Sequence, residues 1–297
     1  MPEPTAPLEV DDAAVLTALR QATLIDLTQT LDETVAFATP LQPQFKHVVH
    51  NWYEPRPSDP QPLRARTLRQ LNGQGQEVEG DFYACWMTIY EHSGTHFDAP
   101  VHCIPPPDSG LPHANEWGAV YGDMVPLRKF QGPLAVIDVT ALRDGPQRDG
   151  ISPPIEVAHV RAWEASNGSL AAGDVVALRT GWDEFFRPPP EGNRFVVDPL
   201  AGRSPGWPAP SVETIEYLHE KGVETVCSEV PSLGGSDDIW SAHYAGLGRG
   251  MVFIECLTNL DQLPARGAYF VFLAPKIVRS SGCFGRAMAW VPSGDGR

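Results

Sequence analysis

The sequence predicts a single α/β domain, and three features of its 297 residues support that class. First, apolar runs typical of buried strands alternate along the chain with helical patterns. Second, an amphipathic helix that begins at Ser211 and ends at Gly222 leads directly into a strand-like run at 223–228, as in α/β folds. Third, a hydrophobic share of 42% and a charged share of 20% are ordinary for a globular domain of this length.

The predicted strands are runs of β-branched and aromatic residues, mostly bounded by residues that favour turns. They lie at 24–28, 82–90, 134–139, 174–180, 223–228, 251–256, 268–274 and 286–291. We expect 82–90 to be a buried strand, because it is almost wholly apolar and aromatic, and to lead into the segment rich in histidine that follows it.

The predicted helices begin at residues that commonly cap helix N-termini. An aspartate caps 13–21, Ser152 followed by prolines of a first turn begins a helix over 152–166, and Ser211 caps the third. A fourth, short helix is expected around 241–244.

Proline is unusually frequent, at 30 of 297 residues, about twice its ordinary share. The clusters at 38–81 and 185–210 are longer than compact connections, so we predict two loop insertions. The first contains Trp52 and is either a lid over a substrate pocket or a surface loop anchored by buried aromatic residues. Residues 1–23 are expected to form an N-terminal segment with a short helix, and 24–292 the domain itself.

Four side chains suited to metal binding are concentrated in one short segment after the 82–90 run. They are His92, His96, Asp98 and His102. Ser93-Gly94-Thr95 disfavours a helix, and a fully extended segment would carry its ends roughly 33 Å apart, too far for one ion. We therefore expect the chain to fold back, at Gly94 and Pro100.

Imidazole and carboxylate ligands without a thiolate favour Zn or Mn. The segment is therefore predicted to wrap around a divalent metal ion. The alternative is a histidine-rich loop whose side chains only bond backbone groups.

The segment also carries a resemblance to a known family. The pattern His-x-Gly-Thr-His-x-Asp-x-Pro-x-His, matched from His92 to His102, resembles the signature of the cyclase-like metal-dependent hydrolases, which include bacterial kynurenine formamidases and isatin hydrolases. The resemblance implies a swivelling β/β/α-type fold with a mixed sheet, and a homodimer or homotetramer. It also implies that His92, His96 and Asp98 are metal ligands and that His102 is catalytic.

Further site residues come from the second half of the chain. A carboxylate at Glu255, within an apolar strand, needs a partner or a metal, and a salt bridge is the alternative. The resemblance pairs Glu255 with His243 as residues that complete the site, bind a second ion or position a water. The turn 229–232 resembles a family turn that contacts substrate through Ser232, although Val230 and Gly234 depart from the usual residues.

The resemblance implies one or two divalent ions per subunit and a reaction at a small molecule. The leading hypothesis is a metal-dependent hydrolase that cleaves the C–N bond of an N-formyl or cyclic amide through a metal-activated water, with His102 as acid and base. Trp52 and Trp182, near predicted loops or strand ends, would suit an aromatic substrate; the alternative is that most of the tryptophans belong to the core. The alternatives are a lactone hydrolase, a cyclase or dehydratase with the same site, and a non-catalytic metal-binding protein.

The composition argues against two other classes of partner. A net charge of -15 disfavours nucleic acids and anionic membrane surfaces. Five dispersed cysteines without a Cys-x-x-Cys pair favour reduced thiols, and neither a signal peptide nor a membrane-spanning run is visible. We therefore expect a cytoplasmic protein.

Overall fold

The structure is a computed structural model that describes residues 12–35, 43–51, 69–71, 77–79 and 84–292. Its helices are α1 (Asp12–Gln21), α2 (Ala141–Asp144), α3 (Val157–Asn167), α4 (Val197–Leu200), α5 (Val212–Glu220) and α6 (Trp240–Leu247). Its first strands are β1 (Thr23–Asp26), β2 (Lys46–Asn51), β3 (Arg69–Leu71), β4 (Glu77–Glu79), β5 (Ala84–Thr88), β6 (His96–Asp98), β7 (Gln131–Asp138) and β8 (Pro154–Ile155). The others are β9 (Val175–Arg179), β10 (Ala209–Pro210), β11 (Thr225–Ser228), β12 (Val252–Glu255), β13 (Tyr269–Leu273), β14 (Gly282–Phe284) and β15 (Arg286–Val291).

A nine-stranded mixed sheet forms the centre of the domain, in the order β1-β15-β13-β7-β9-β11-β12-β6-β14. The neighbours β7, β9, β11 and β12 run parallel, and the strands on both sides of them pair antiparallel. Helices α3 and α5 precede β9 and β11 in the chain, as parallel connections require. The predicted α/β domain on a mixed sheet is confirmed.

The alternation of side chains along the central strands creates two cores, one on each face of the sheet. Ala135 and Ile137 of β7 pack in one cluster with residues of α3 and α5. Leu134 and Val136 of the same strand pack in the other, together with aromatic residues of β6 and β13 such as Phe97. Both faces of the sheet are therefore covered.

The start of α3 differs from the prediction. Ser152 does not cap the helix, because Pro154–Ile155 is extended and pairs with β10. The helix begins instead at Val157, where the Glu156 carboxylate accepts from the backbone of His159 and the His159 ring bonds the Glu156 N–H. The helix begins later than predicted because the pairing with β10 holds Pro154 in an extended strand.

The first predicted insertion is more regular than expected where the structure describes it. It contains β2, β3 and β4, of which β2 pairs with β5 in a two-stranded ladder outside the main sheet. The expectation that 82–90 is a buried strand is wrong for β5: Trp86 and Met87 are 60% and 61% exposed. Among the described residues the strand pairs with β2 alone, outside the main sheet, and these two side chains are exposed.

The second insertion, 185–210, contains α4, β10 and the short 3₁₀ turn Glu191–Arg194, and several of its apolar side chains are buried, among them Phe195, Val196 and Trp207. None of the helices in the described ranges has the length and apolar character that crossing a membrane requires.

Candidate metal centre and active site

The histidine-rich segment folds back where the sequence indicates. Gly94 has φ +58°, and a Cβ atom there would lie 2.6 Å from Cδ2 of Leu31, so the turn needs glycine. The chain then enters β6, and Pro100 begins a single 3₁₀ turn that ends at His102. Thr95 anchors the turn, because its hydroxyl donates to the Cys256 carbonyl at 2.6 Å. The predicted fold-back is confirmed.

The main sheet brings the two halves of the site together. Strand β6 lies between β12 and β14, and its register places His96 directly opposite Glu255. Two groups of buried ligand atoms result, and they share Asp98. The first is His92, His96 and Asp98, and the second is Asp98, His243 and Glu255.

Hydrogen bonds to backbone carbonyls orient two of the imidazoles. Nδ1 of His96 lies 2.8 Å from the Gly94 carbonyl oxygen, and Nδ1 of His243 lies 2.7 Å from that of Ile239. A carbonyl only accepts, so each Nδ1 carries the proton. Both rings therefore present Nε2 to the carboxylates of Asp98 and Glu255.

The distances among these atoms fit a metal ion. Nε2 of His96 lies 3.4 Å from Asp98 Oδ1 and 3.5 Å from Glu255 Oε2. Nε2 of His243 lies 3.4 Å from Asp98 Oδ2 and 3.3 Å from Glu255 Oε1. Bonds of about 2.1 Å place neighbouring ligand atoms about 3.0 Å apart in octahedral and about 3.4 Å apart in tetrahedral coordination. Each imidazole therefore faces its own pair of carboxylate oxygens at the spacing of metal ligands.

Asp98 gives independent support for a cation. Its carboxylate is 1% exposed, and Oδ2 has no hydrogen-bond partner among the described residues. A buried carboxylate oxygen without a partner is costly unless a cation neutralises it. The donor set and the unpaired oxygen therefore fit a divalent ion at this position.

The charges of the cluster shift its pKa values in opposite directions. Burial opposes protonation of His243, but its contacts with Asp98 and Glu255 outweigh burial and raise the pKa of the imidazole to about 10. The pKa of His96 is raised well above its usual value by the same two carboxylates, again against burial. Burial would raise the pKa of Asp98, but the surrounding imidazoles hold it well below its usual value. The carboxylates therefore attract positive charge, as a proton or as a metal ion.

His102 differs from the other imidazoles of the site. Burial is the main cause that lowers its pKa to about 3, with the neighbouring histidines adding to the effect and Asp98 opposing it. Its ring centroid lies 3.9 Å from that of His92, and its ring makes no hydrogen bond with any residue in the described ranges. His102 is therefore neutral at physiological pH, with a ring nitrogen able to accept a proton.

A cavity of about 430 Å³ opens onto the cluster. Its walls combine the site residues with apolar side chains and a few hydroxyl groups. They are formed by Tyr90, His92, His96, His102, Val196, Leu200, Trp207, Pro231, Ser232, Ile239, Trp240, His243 and Glu255.

The three residues predicted to bind substrate differ in their position relative to the cavity. Ser232 lines the cavity, and its Oγ accepts from the Gly234 N–H, which leaves its own proton free to be donated. Trp182 does not line it, since its ring is fully buried and its Nε1 donates to the Phe195 carbonyl. The second insertion packs over the Trp182 ring, and substrate contact by Trp182 stays a prediction. Trp52 lies outside the described residues.

Sequence reasoning missed most of the apolar wall. Val196 and Leu200 come from the second insertion, and Ile239 and Trp240 precede or begin the helix that carries His243. The only signal available was their closeness in sequence to His243 or their place in the insertion. Neither signal shows which apolar side chains face a cavity.

Comparison with known proteins agrees with this geometry. Residues 25–234 match the family model described as Putative cyclase. Isatin hydrolase of Roseibium aggregatum is 33% identical over 226 residues, which cover 73% of this chain and 78% of that protein.

Two solved structures share the fold. The crystal structure of an isatin hydrolase bound to the product analogue thioisatinate has a TM-score of 0.72 at 24% identity, covering 96% of this chain and 100% of that one. Isatin hydrolase A from Ralstonia solanacearum has a TM-score of 0.70 at 26% identity, covering 98% and 100%. The chain belongs to the cyclase family of metal-dependent hydrolases.

Proposed function

We propose that this hydrolase cleaves the C–N bond of a neutral, aromatic cyclic amide of the isatin type. The observation that carries the proposal is the composition of the cavity beside the cluster. Its walls include Val196, Leu200, Trp207 and Trp240, and no lysine or arginine is among the lining side chains that the structure describes. An apolar slot with a few polar groups suits a flat neutral ring.

The same composition argues against the amino-acid substrate of a kynurenine formamidase. Formylkynurenine carries a carboxylate and an ammonium group, and its carboxylate would lie unpaired against this wall. A buried charge without a partner costs several kcal/mol. A cyclic amide such as isatin carries no charge.

The ligand roles follow from the geometry. We propose His92, His96, Asp98, His243 and Glu255 as the residues that hold a divalent ion, zinc or manganese. The two groups of three ligand side chains, which share Asp98, support one or two ions per subunit. Bound there, the ion would acidify a water molecule and polarise the substrate carbonyl.

The remaining chemistry belongs to the chain's own side chains. His102, neutral and facing the cavity, accepts the proton of the attacking water and returns it to the leaving nitrogen. The free proton of Ser232 can be donated to a carbonyl oxygen of the substrate. The apolar wall holds the ring and excludes other water.

Purified protein loaded with Mn²⁺ or Zn²⁺ tests the proposal with three substrates: isatin, N-formylkynurenine and a neutral aromatic lactone. We expect turnover of isatin, with kcat/KM at least about 100-fold above that for formylkynurenine. A higher kcat/KM for formylkynurenine than for isatin would refute the inference that the cavity binds an uncharged substrate. If the enzyme hydrolyses the lactone but not isatin, the substrate of this site is a cyclic ester and not an amide.

We also propose a homo-oligomer in a reducing, cytoplasmic compartment. The exposed side chains of Val48, Trp86 and Met87 lie on a two-stranded ladder, which is marginally stable alone and would gain from contact with a second copy. All five cysteines are free thiols, as expected where disulfides do not form. Light scattering of the purified protein measures the oligomer directly, and a monomer at micromolar concentration would contradict it.

A further inference from the structure

A short hydrogen-bonded chain connects the centre of the site with the protein surface through His92. Nε2 of His92 lies 2.8 Å from the Ser281 hydroxyl oxygen. That hydroxyl donates to Oε1 of Glu91 at 2.6 Å, and the Ser281 backbone N–H donates to Oε2 of the same carboxylate at 3.2 Å. The His92 side chain is 6% exposed, whereas the Glu91 side chain is 35% exposed.

The direction of each hydrogen bond follows from the chemistry of the groups. An ionised carboxylate only accepts, so the Ser281 proton points to Glu91. The Ser281 oxygen then has only lone pairs left for the imidazole, and Nε2 of His92 must be the donor. Glu91 therefore fixes the tautomer of His92 without touching the inner site.

The consequence appears on the other side of the ring. Nδ1 of His92 lies 2.7 Å from Asp98 Oδ1. When Nε2 of His92 donates its proton in a hydrogen bond to Ser281, Nδ1 carries only a lone pair, and this lone pair faces Asp98 Oδ1. Because Nδ1 and Oδ1 are then both acceptors, they need a cation beside them. His96 and His243 have the opposite arrangement, with Nδ1 bonded to a carbonyl and Nε2 turned inward.

Strand β14, which begins one residue after Ser281, is adapted to this contact. At the next residue, Gly282, a Cβ atom would lie 2.1 Å from the Phe97 carbonyl oxygen and 2.7 Å from Cε1 of His92. No side chain fits there, so glycine lets β14 approach the imidazole closely enough for the serine to reach it.

We propose that Glu91 and Ser281 are positioning residues that hold His92 in the Nε2–H tautomer, so that Nδ1 is the atom offered to the metal ion. The inference rests on the proposed function in one respect, the role of His92 as a ligand. Partners of this kind around a metal-binding histidine commonly contribute about 10- to 100-fold in metal affinity.

Four variants test the proposal: Glu91→Ala, Glu91→Gln, Ser281→Ala and the double alanine variant. Zn²⁺ affinity is measured by competition with a chelator, and folding by thermal unfolding. Glu220→Ala, an exposed carboxylate on α5, is the matched control. We expect Glu91→Ala and Ser281→Ala each to lower the affinity by about 10- to 100-fold. Glu91→Gln should remain within about threefold of wild type, because its amide oxygen still accepts the Ser281 proton.

The double variant separates positioning from a simple charge effect, since Glu91 also lies 3.9 Å from His92 Nε2. If Glu91 acts through Ser281, the double alanine variant should have the same Zn²⁺ affinity as Ser281→Ala alone. Additive losses would overturn the proposal. A ¹⁵N correlation spectrum of the Zn²⁺-loaded protein should show the His92 proton on Nε2, and a proton on Nδ1 would also overturn it.

The outcomes distinguish this inference from the proposed function. Wild-type protein that fails to bind Zn²⁺ or Mn²⁺ would overturn the metal site itself. If wild-type protein binds Zn²⁺ tightly and folded Glu91→Ala binds it with equal affinity, only the role of Glu91 is overturned.

Discussion

Metal binding should displace protons from this chain even at pH 8, where ordinary histidines have already lost theirs. A histidine must be neutral to bind a metal, so a proton held by His243 in the metal-free protein has to leave. The contacts of His243 with Asp98 and Glu255 raise its pKa to about 10. At pH 8 its protonated fraction is then about 0.99, against about 0.03 for an imidazole with a pKa of about 6.5.

The expected effect on affinity is large. Each such proton adds one unit to the slope of log affinity against pH, so His243 alone strengthens binding by about 100-fold between pH 7 and pH 9. His96, whose pKa is also raised, can increase the slope toward two. Ordinary histidines would give only about a 1.3-fold change over the same interval.

Calorimetric titration with Mn²⁺ at pH 8, in two buffers with different heats of ionisation, measures the protons directly. We expect between one and two protons per ion. His219→Gln, which changes an exposed histidine at the end of α5, should leave the number unchanged. Fewer than about 0.2 protons per ion would refute the charge distribution inferred for the site.

Three further outcomes are expected. His102→Ala should lower kcat for isatin by about 10²- to 10⁴-fold with metal content unchanged by elemental analysis, and full activity would refute its role in proton transfer. Trp240→Ala should raise KM for isatin by about 3- to 10-fold without loss of stability, since its side chain lines the cavity and is 54% exposed; an unchanged KM would remove it from the binding wall. Burial and the nearby Asp183 raise the pKa of Glu229 to about 7, so its stabilising contribution is complete below about pH 4.5 and is lost as the pH rises through 7. Urea unfolding at pH 5 and pH 8 should show a fall of about 2.5 kcal/mol that Glu229→Gln lacks, and an equal fall in both proteins would contradict this assignment.

The local part of the site was predictable from residue types alone. Gly94 and Pro100 mark the turns, and the alternation of His96 and Asp98 indicates one extended face. Glu255 was also detectable, because a carboxylate within an apolar strand needs a partner. In the structure it is 3% exposed and accepts from the Leu233 N–H at 2.6 Å.

Other features depend on tertiary contacts that no local pattern encodes. The sequence of β5 is as apolar as that of a core strand, but in the described part of the chain it pairs with β2 outside the main sheet, and Trp86 and Met87 are exposed. Trp182 and Trp240 both lie near element ends, yet packing buries the first and leaves the second at the cavity mouth. Ser281 lies 189 positions from His92, a distance over which periodicity gives no information.

The position of β6 between β12 and β14 has a consequence for folding. A three-residue strand from the first half of the chain is paired on both sides by strands from the last quarter. The proposed ligands therefore cannot come together on a growing polypeptide until Glu255 has been made and β12 has paired with β6. Contacts so distant in sequence form slowly, because the loop between them must first be ordered. We therefore expect the proposed metal site to form only after β6 has joined the sheet.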